Sequence, residues 1–147
     1  MSDIDEIVAR MRDALGDPNE LVWSEAELIA GIRQAYEDLL NYSGQVWVLE
    51  GLDGEPNPTN FSRHYFSLII RGALGYALIV RSAEQLGAFH FDQAATRAAL
   101  QAGQAYLASF EKALQGLQSY RLNELQTSAN PPYPDGSDET QPGWNSC

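Results

Sequence analysis

The side chains able to do chemistry are few and poorly grouped. His64 and His90 are the only two histidines. His90-Phe91-Asp92 together with Glu84 has the residue types of a metal site. No histidine pair and no His/Cys cluster falls at ligand spacing, however, so a helix-edge or loop role explains each histidine. Cys147 closes the sequence, where nothing holds a base beside it as nucleophilic catalysis requires. Glu25 and Glu27 form a carboxylate pair on paper. Two positions apart on a helix they do not share a face. Gly72-Ala-Leu-Gly75 lies inside an apolar helical run and reads as a packing contact, not as a phosphate loop. The sequence predicts neither catalytic residues nor a bound cofactor or metal.

The segment Trp23-Ser24-Glu25-Ala26-Glu27-Leu28 carries a different kind of information. Ser24 can accept a hydrogen bond from a free N–H of a first helical turn, and Glu27 can reach back to the N–H of Ser24. Together they write a capping box. Trp23 before the cap and Leu28 four residues after it form a hydrophobic staple. A helix therefore starts at Glu25.

Around that start the sequence predicts three further helices. Ile4, Ile7, Val8, Met11 and Leu15 recur at helical spacing from about Asp3 to Leu15, with Ser2 as cap and acidic residues in the first turn. Gly16-Asp17-Pro18-Asn19 ends that run with turn chemistry. The second helix carries Leu28, Ile32, Ala35, Tyr36 and Leu39 on one face and stops near 41–44. A third helix, from about Ser62 to Leu86, has a wide apolar face from Phe66 to Val80. Its Gly72 and Gly75 weaken it intrinsically and make sense where another helix packs closely. The fourth, capped by Asp92, runs to about Gln126. Its first half is rich in alanine, and its second half carries Phe110, Leu114, Leu117, Tyr120 and Leu125. So long a helix is expected to find contacts beyond its own domain, in an oligomer.

Two segments break the pattern. Gln45-Val-Trp-Val-Leu-Glu50 is rich in β-formers, Asp53-Gly54 signals a turn, and Pro56 and Pro58 exclude a central strand behind it. The expectation is a short β-hairpin arm over about 45–60. Trp47 on it is either an interface anchor or a lid on the helical core. Residues 127–147 contain Asn130-Pro-Pro-Tyr-Pro-Asp-Gly and Gln141-Pro-Gly-Trp and lack hydrophobic periodicity. They read as an extended C-terminal tail after a helical domain of residues 1–126. Tyr133 and Trp144 in the tail are candidate partner contacts; a mobile terminus is the alternative. The fold class is thus mainly α: a four-helix bundle with a short β-hairpin arm and a tail.

Composition narrows the partners. The chain has 147 residues, a formal charge of -11 from 20 acidic and 9 basic residues, and one cysteine. A protein so acidic does not grip nucleic acid over a broad surface and avoids anionic membranes. It can still line a passage through which DNA slides. A single cysteine allows no internal disulfide. The start of the chain does not look like a signal peptide. The most apolar stretch, from Tyr65 to Val80, is interrupted by Arg71 and is short for a bilayer.

A short first helix, then Gly16-Asp17, then Trp23-Ser-Glu-Ala-Glu-Leu28 opening a helix that continues Ile32-Arg-Gln-Ala-Tyr-Glu-Asp-Leu39, resembles the N-terminal part of tailed-phage head–tail adaptor proteins. These are also called connector or head-completion proteins. The matching positions are Asp17, Trp23, Ser24, Glu25, Glu27, Leu28, Ala35 and Leu39. The likeness covers about the first 40 residues; beyond them only the layout corresponds. The resemblance implies a virion protein made in the host cytoplasm and placed at the head–tail junction. It would form a ring, usually of twelve copies, under the portal protein, extend the DNA channel without specific DNA binding, and dock the next neck or tail protein. The alternative is a stand-alone helical binding module or regulator.

Overall fold

The structure is a computed structural model that describes residues 1–87 and 92–129. Four helices make up the fold: α1 (Asp3–Leu15), α2 (Glu25–Ser43), α3 (His64–Leu86) and α4 (Gln93–Ala129). The chain divides into two compact units, Met1–Gln115 and Gly116–Cys147. The first holds the bundle; the described part of the second, residues 116–129, is the last stretch of α4.

The starts of α1, α2 and α4 follow from their own residues, whereas α3 begins after Arg63 without a side-chain cap. Ser2 accepts from the Asp5 N–H and the Asp5 carboxylate accepts from the Ser2 N–H, a capping box like that of Ser24 and Glu27. Asp92 caps α4 through Oδ1, which accepts from the Ala95 N–H at 3.1 Å. Gly16 and Gly44 end α1 and α2 in the left-handed conformation, at φ 70° and 69°, where a Cβ would be strained.

The core is assembled from the expected faces. Ile4, Ile7, Val8 and Met11 of α1, Leu28, Ile32, Ala35 and Leu39 of α2, and Phe66, Ile69, Ala73 and Ala77 of α3 are buried. Phe110 and Leu114 supply the buried face of α4. Val80, which continues the apolar face of α3 in sequence, is instead 56% exposed. Helix α3 is long and apolar enough to cross a membrane, but 56% of its most apolar window is buried in the fold, the behaviour of a core helix.

Glycines set the helix spacing. A methyl group on Gly31 of α2 would lie 2.6 Å from the Ala73 carbonyl oxygen of α3. On Gly72 it would meet the Phe110 ring at 2.8 Å, and on Gly75 the Leu107 side chain at 2.7 Å. The two glycines of α3 therefore do mark a close helix approach, and α4 answers with Gly103, whose added methyl would meet Ile79 at 2.9 Å. Most alanines of α4 lie outside this contact: Ala94, Ala95, Ala98, Ala102, Ala105 and Ala108 are exposed, and Ala99 and Ala113 are half-buried.

The β-hairpin arm does not form; no strand occurs among the described residues. The Asp53-Gly54 turn is present, with φ of 53° and 77°. What fails is the ladder. The Asn60 N–H donates to the Val48 carbonyl at 3.3 Å, as a hairpin requires. The Val48 N–H, however, donates to the Asn60 side chain at 2.9 Å. In that register the next backbone pair joins Glu50 to residue 58, and Pro58 has no N–H to give. The Glu50 N–H turns to Thr59 Oγ1 at 3.0 Å, and the Glu50 carbonyl accepts from the Ile4 N–H of α1 at 3.1 Å. The segment is thus an irregular loop tied to the start of α1.

Candidate functional site

The connection from α1 to α2 is built around one carboxylate. Asp17, buried just past the end of α1, accepts from the backbone N–H groups of Leu21, Val22 and Trp23, at 2.8 Å for both Leu21 and Trp23. Arg12, also buried, donates to Asp17 Oδ2 at 3.3 Å and to the Trp23 carbonyl at 2.8 Å. The Trp23 N–H leads the groups that hold the Asp17 carboxyl below its ordinary pKa; burial opposes them, and Leu21, Val22 and the Arg12 guanidinium assist. The loop is strained at Glu20, whose φ is 60°.

Helix α3 closes this elbow from the other side. The Arg81 guanidinium lies 3.9 Å from the Trp23 ring centroid and donates to both Glu27 carboxylate oxygens, at 2.9 and 3.0 Å. It also donates to the Val22 carbonyl at 2.8 Å. Burial pushes the Glu27 carboxyl up, but the Ser24 N–H and hydroxyl together with Arg81 outweigh it, and its pKa falls. Ser24 and Glu27 therefore form the expected capping box, with Trp23 held against Arg81. Trp23 is 7% exposed and Leu28 fully buried. Glu27 does two jobs, helix capping and pairing with Arg81; Glu25 is exposed beside it.

Trp47 sits elsewhere, in an aromatic group at the start of α3. Its ring lies 5.7 Å from Phe61 and 5.2 Å from Tyr65 by centroids, and Phe61 lies 5.8 Å from Phe66. The Tyr36 hydroxyl donates to the Trp47 carbonyl. Half-buried, Trp47 packs against Phe61 and Tyr65. His64 pairs with the Ser62 hydroxyl at 2.7 Å. Tyr133, Trp144, His90 and Cys147 lie outside the described residues. Among the described residues no group of three or more His, Cys, Asp or Glu could hold a metal ion.

Two grooves border the central helix α3. One, about 430 Å³, runs between α2 and α3 over Ala26, Ala30, Gly31, Ala77 and Val80, with Glu27 and Glu84 on its rim. The Tyr76 hydroxyl there bonds Asp38; burial first, then that carboxylate, raises the Tyr76 pKa. The other, about 390 Å³, lies between α3 and α4 and is lined by Arg71, Ala102, Ala105, Tyr106 and Ser109. Neither gathers the convergent polar groups of a catalytic pocket.

No family model, curated protein or solved structure matches this chain.

Two residues of the elbow escape a reading by periodicity. Arg12 directly follows Met11 on the buried side of α1, and its signal was a charge on an apolar face near an Asp-Pro turn. Arg81 had no local signal, because its partners Trp23 and Glu27 are more than fifty residues away in sequence.

Proposed function

We propose that this chain is a structural assembly protein of the head–tail adaptor kind. In this reading it forms a ring of about twelve copies under a portal protein, lengthens the DNA channel and docks the next neck or tail protein. The observation that carries the proposal is where the resembling residues fall in the fold. Asp17 gathers the elbow backbone, Trp23 stacks under Arg81, Ser24 and Glu27 cap α2, and Leu28, Ala35 and Leu39 are buried. The likeness thus rests on residues with definite structural work, and they define one rigid joint rather than a generic amphipathic helix. The charge of -11 per chain supports a conduit, since negative walls repel DNA and let it slide.

Disrupting the gene tests the proposal. The expected result is DNA-filled heads that fail to join tails, with normal particles restored when the chain is supplied in trans. Tailed, infectious particles formed without it would rule the proposal out.

The α2/α3 groove favours a second reading, a stand-alone module that binds a helix or peptide of a host protein. Affinity capture that returns a cellular protein and no portal would select it.

A further inference from the structure

Leu21 and Val22 combine exposed side chains with a hydrogen-bonded backbone. Their exposures are 83% and 61%, yet both N–H groups donate to the buried Asp17, and the Val22 carbonyl accepts from Arg81 at 2.8 Å. A free loop could turn two aliphatic side chains inward. This one is held with them outward, next to a strained Glu20. The exposed carboxylates of Glu20 and Glu25 flank the pair. An apolar knuckle of this kind, rigid and rimmed by charge, has the make-up of an interface element.

The α3/α4 groove offers what the knuckle lacks. Arg71 is half-buried in it and, among the described residues, has no ion-pair or hydrogen-bond partner. Arg97 and Lys112 likewise have no carboxylate partner among the described residues, but they are exposed, whereas Arg71 is half-buried. Ala102 and Ala105, both exposed, line the groove, and its volume is about 390 Å³. A cavity of about 150 Å³ holds a benzene ring, so this groove has room for Leu21 and Val22 together.

The geometry points to a head-to-tail contact between copies of this chain. Leu21 and Val22 of one copy enter the α3/α4 groove of the next, and Glu20 or Glu25 pairs with its Arg71. The contact joins two different surfaces, so repetition closes a ring or runs on as a filament. The α2/α3 groove is the poorer host, because Glu84 on its rim repels the acidic knuckle and Glu27 there is already paired with Arg81. Pairing knuckle to knuckle sets like charges face to face. The inference rests on the assembly reading above.

Cysteine cross-linking tests it. In a Cys147→Ser background, Leu21→Cys and Ala105→Cys are introduced singly and together, and the chain is oxidised at about 1 mM, where even a weak contact is populated. The double variant is expected to give a ladder of disulfide-linked multimers, and each single variant at most a dimer. Glu20→Arg with Glu25→Arg, or Arg71→Glu alone, should cut the ladder about tenfold, and the three together should restore it. These side chains are exposed or half-exposed, and circular dichroism is expected to show unchanged helix. No ladder, or a ladder only from Leu21→Cys with Ala30→Cys of the α2/α3 groove, overturns the contact. An absent ladder in a chain that tailed particles still require sinks this contact and spares the adaptor reading. A ladder in a chain that particles do not need does the reverse.

Discussion

The connection before α2 and the connection after it, which holds one 3₁₀ turn at Leu52–Gly54, both carry the chain between helices, and they satisfy their backbones in opposite ways. Residues 16–24 depend on a hub. One buried carboxylate, Asp17, serves three consecutive N–H groups and one arginine. Residues 45–61 depend on a scatter of separate contacts: Asn60 with Val48, Thr59 with Glu50, Tyr36 with Trp47, and an aromatic group above them. A hub gives a stiff, well-defined elbow that one substitution can dismantle. Scattered contacts give a loop that absorbs single losses.

The largest expected effect follows from removing the hub. Asp17→Ala strands the N–H groups of Leu21, Val22 and Trp23 and leaves Arg12 buried without its carboxylate. It should cause the greatest stability loss of any single change in either connection, read by urea unfolding. Arg12→Leu removes one partner of the buried pair and should cost about 3 kcal/mol; it leaves the backbone bonds of Asp17 in place, so its effect is smaller than that of Asp17→Ala. The reverse order would mean that the ion pair, not the gathered N–H groups, holds the elbow.

Smaller effects are expected after α2. Trp47→Ala deletes a half-buried ring from the aromatic group and should cost about 2 kcal/mol, less than truncation of a fully buried tryptophan. Asn60→Ala leaves the Val48 N–H without its acceptor near the surface and should cost about 1 kcal/mol. If either approached the loss from Asp17→Ala, the distinction between hub and scatter would fail.

Acid distinguishes the two connections more finely. The folded pKa of Asp17 lies below its unfolded value, which is near about 4. In that window the unfolded chain binds more protons, so the contribution of Asp17 is complete above about pH 4 and is lost as pH falls through the folded value. Glu27 acts in the same direction. Urea midpoints should therefore drop on acidification below about pH 4, and the drop should be shallower in Asp17→Asn than in Asn60→Ala.

How far the sequence reveals this molecule depends on the range of the interactions. Helix starts are local: Ser2 with Asp5 and Ser24 with Glu27 act across three residues, the Ser24 box and the Ser2 cap form as read, and Asp5 completes a second box. The need for glycine at 72 and 75 was also legible, since a packed helix gives the only benefit that offsets their cost. The hairpin was misread because β-forming residues at 45–50 describe one strand, whereas a ladder needs a donor on the other. Pro58 removes it, and the freed Glu50 carbonyl goes to α1. Arg81 and the α3/α4 groove were invisible for the complementary reason. They arise from residues far apart in sequence whose meeting is set by the packing of α3. Trp47 was legible as a large aromatic on the loop, but its packing against Phe61 and Tyr65 depends on residues that the fold brings back beside it.

The adaptor reading makes a quantitative demand on the particle. On that reading, cells carrying this gene release tailed particles, in which the chain can be counted by mass spectrometry against the major capsid protein. The account predicts one ring's worth, about twelve copies per particle, retained in tailed particles and separable with the neck. Complete absence of the chain from tailed particles would contradict it.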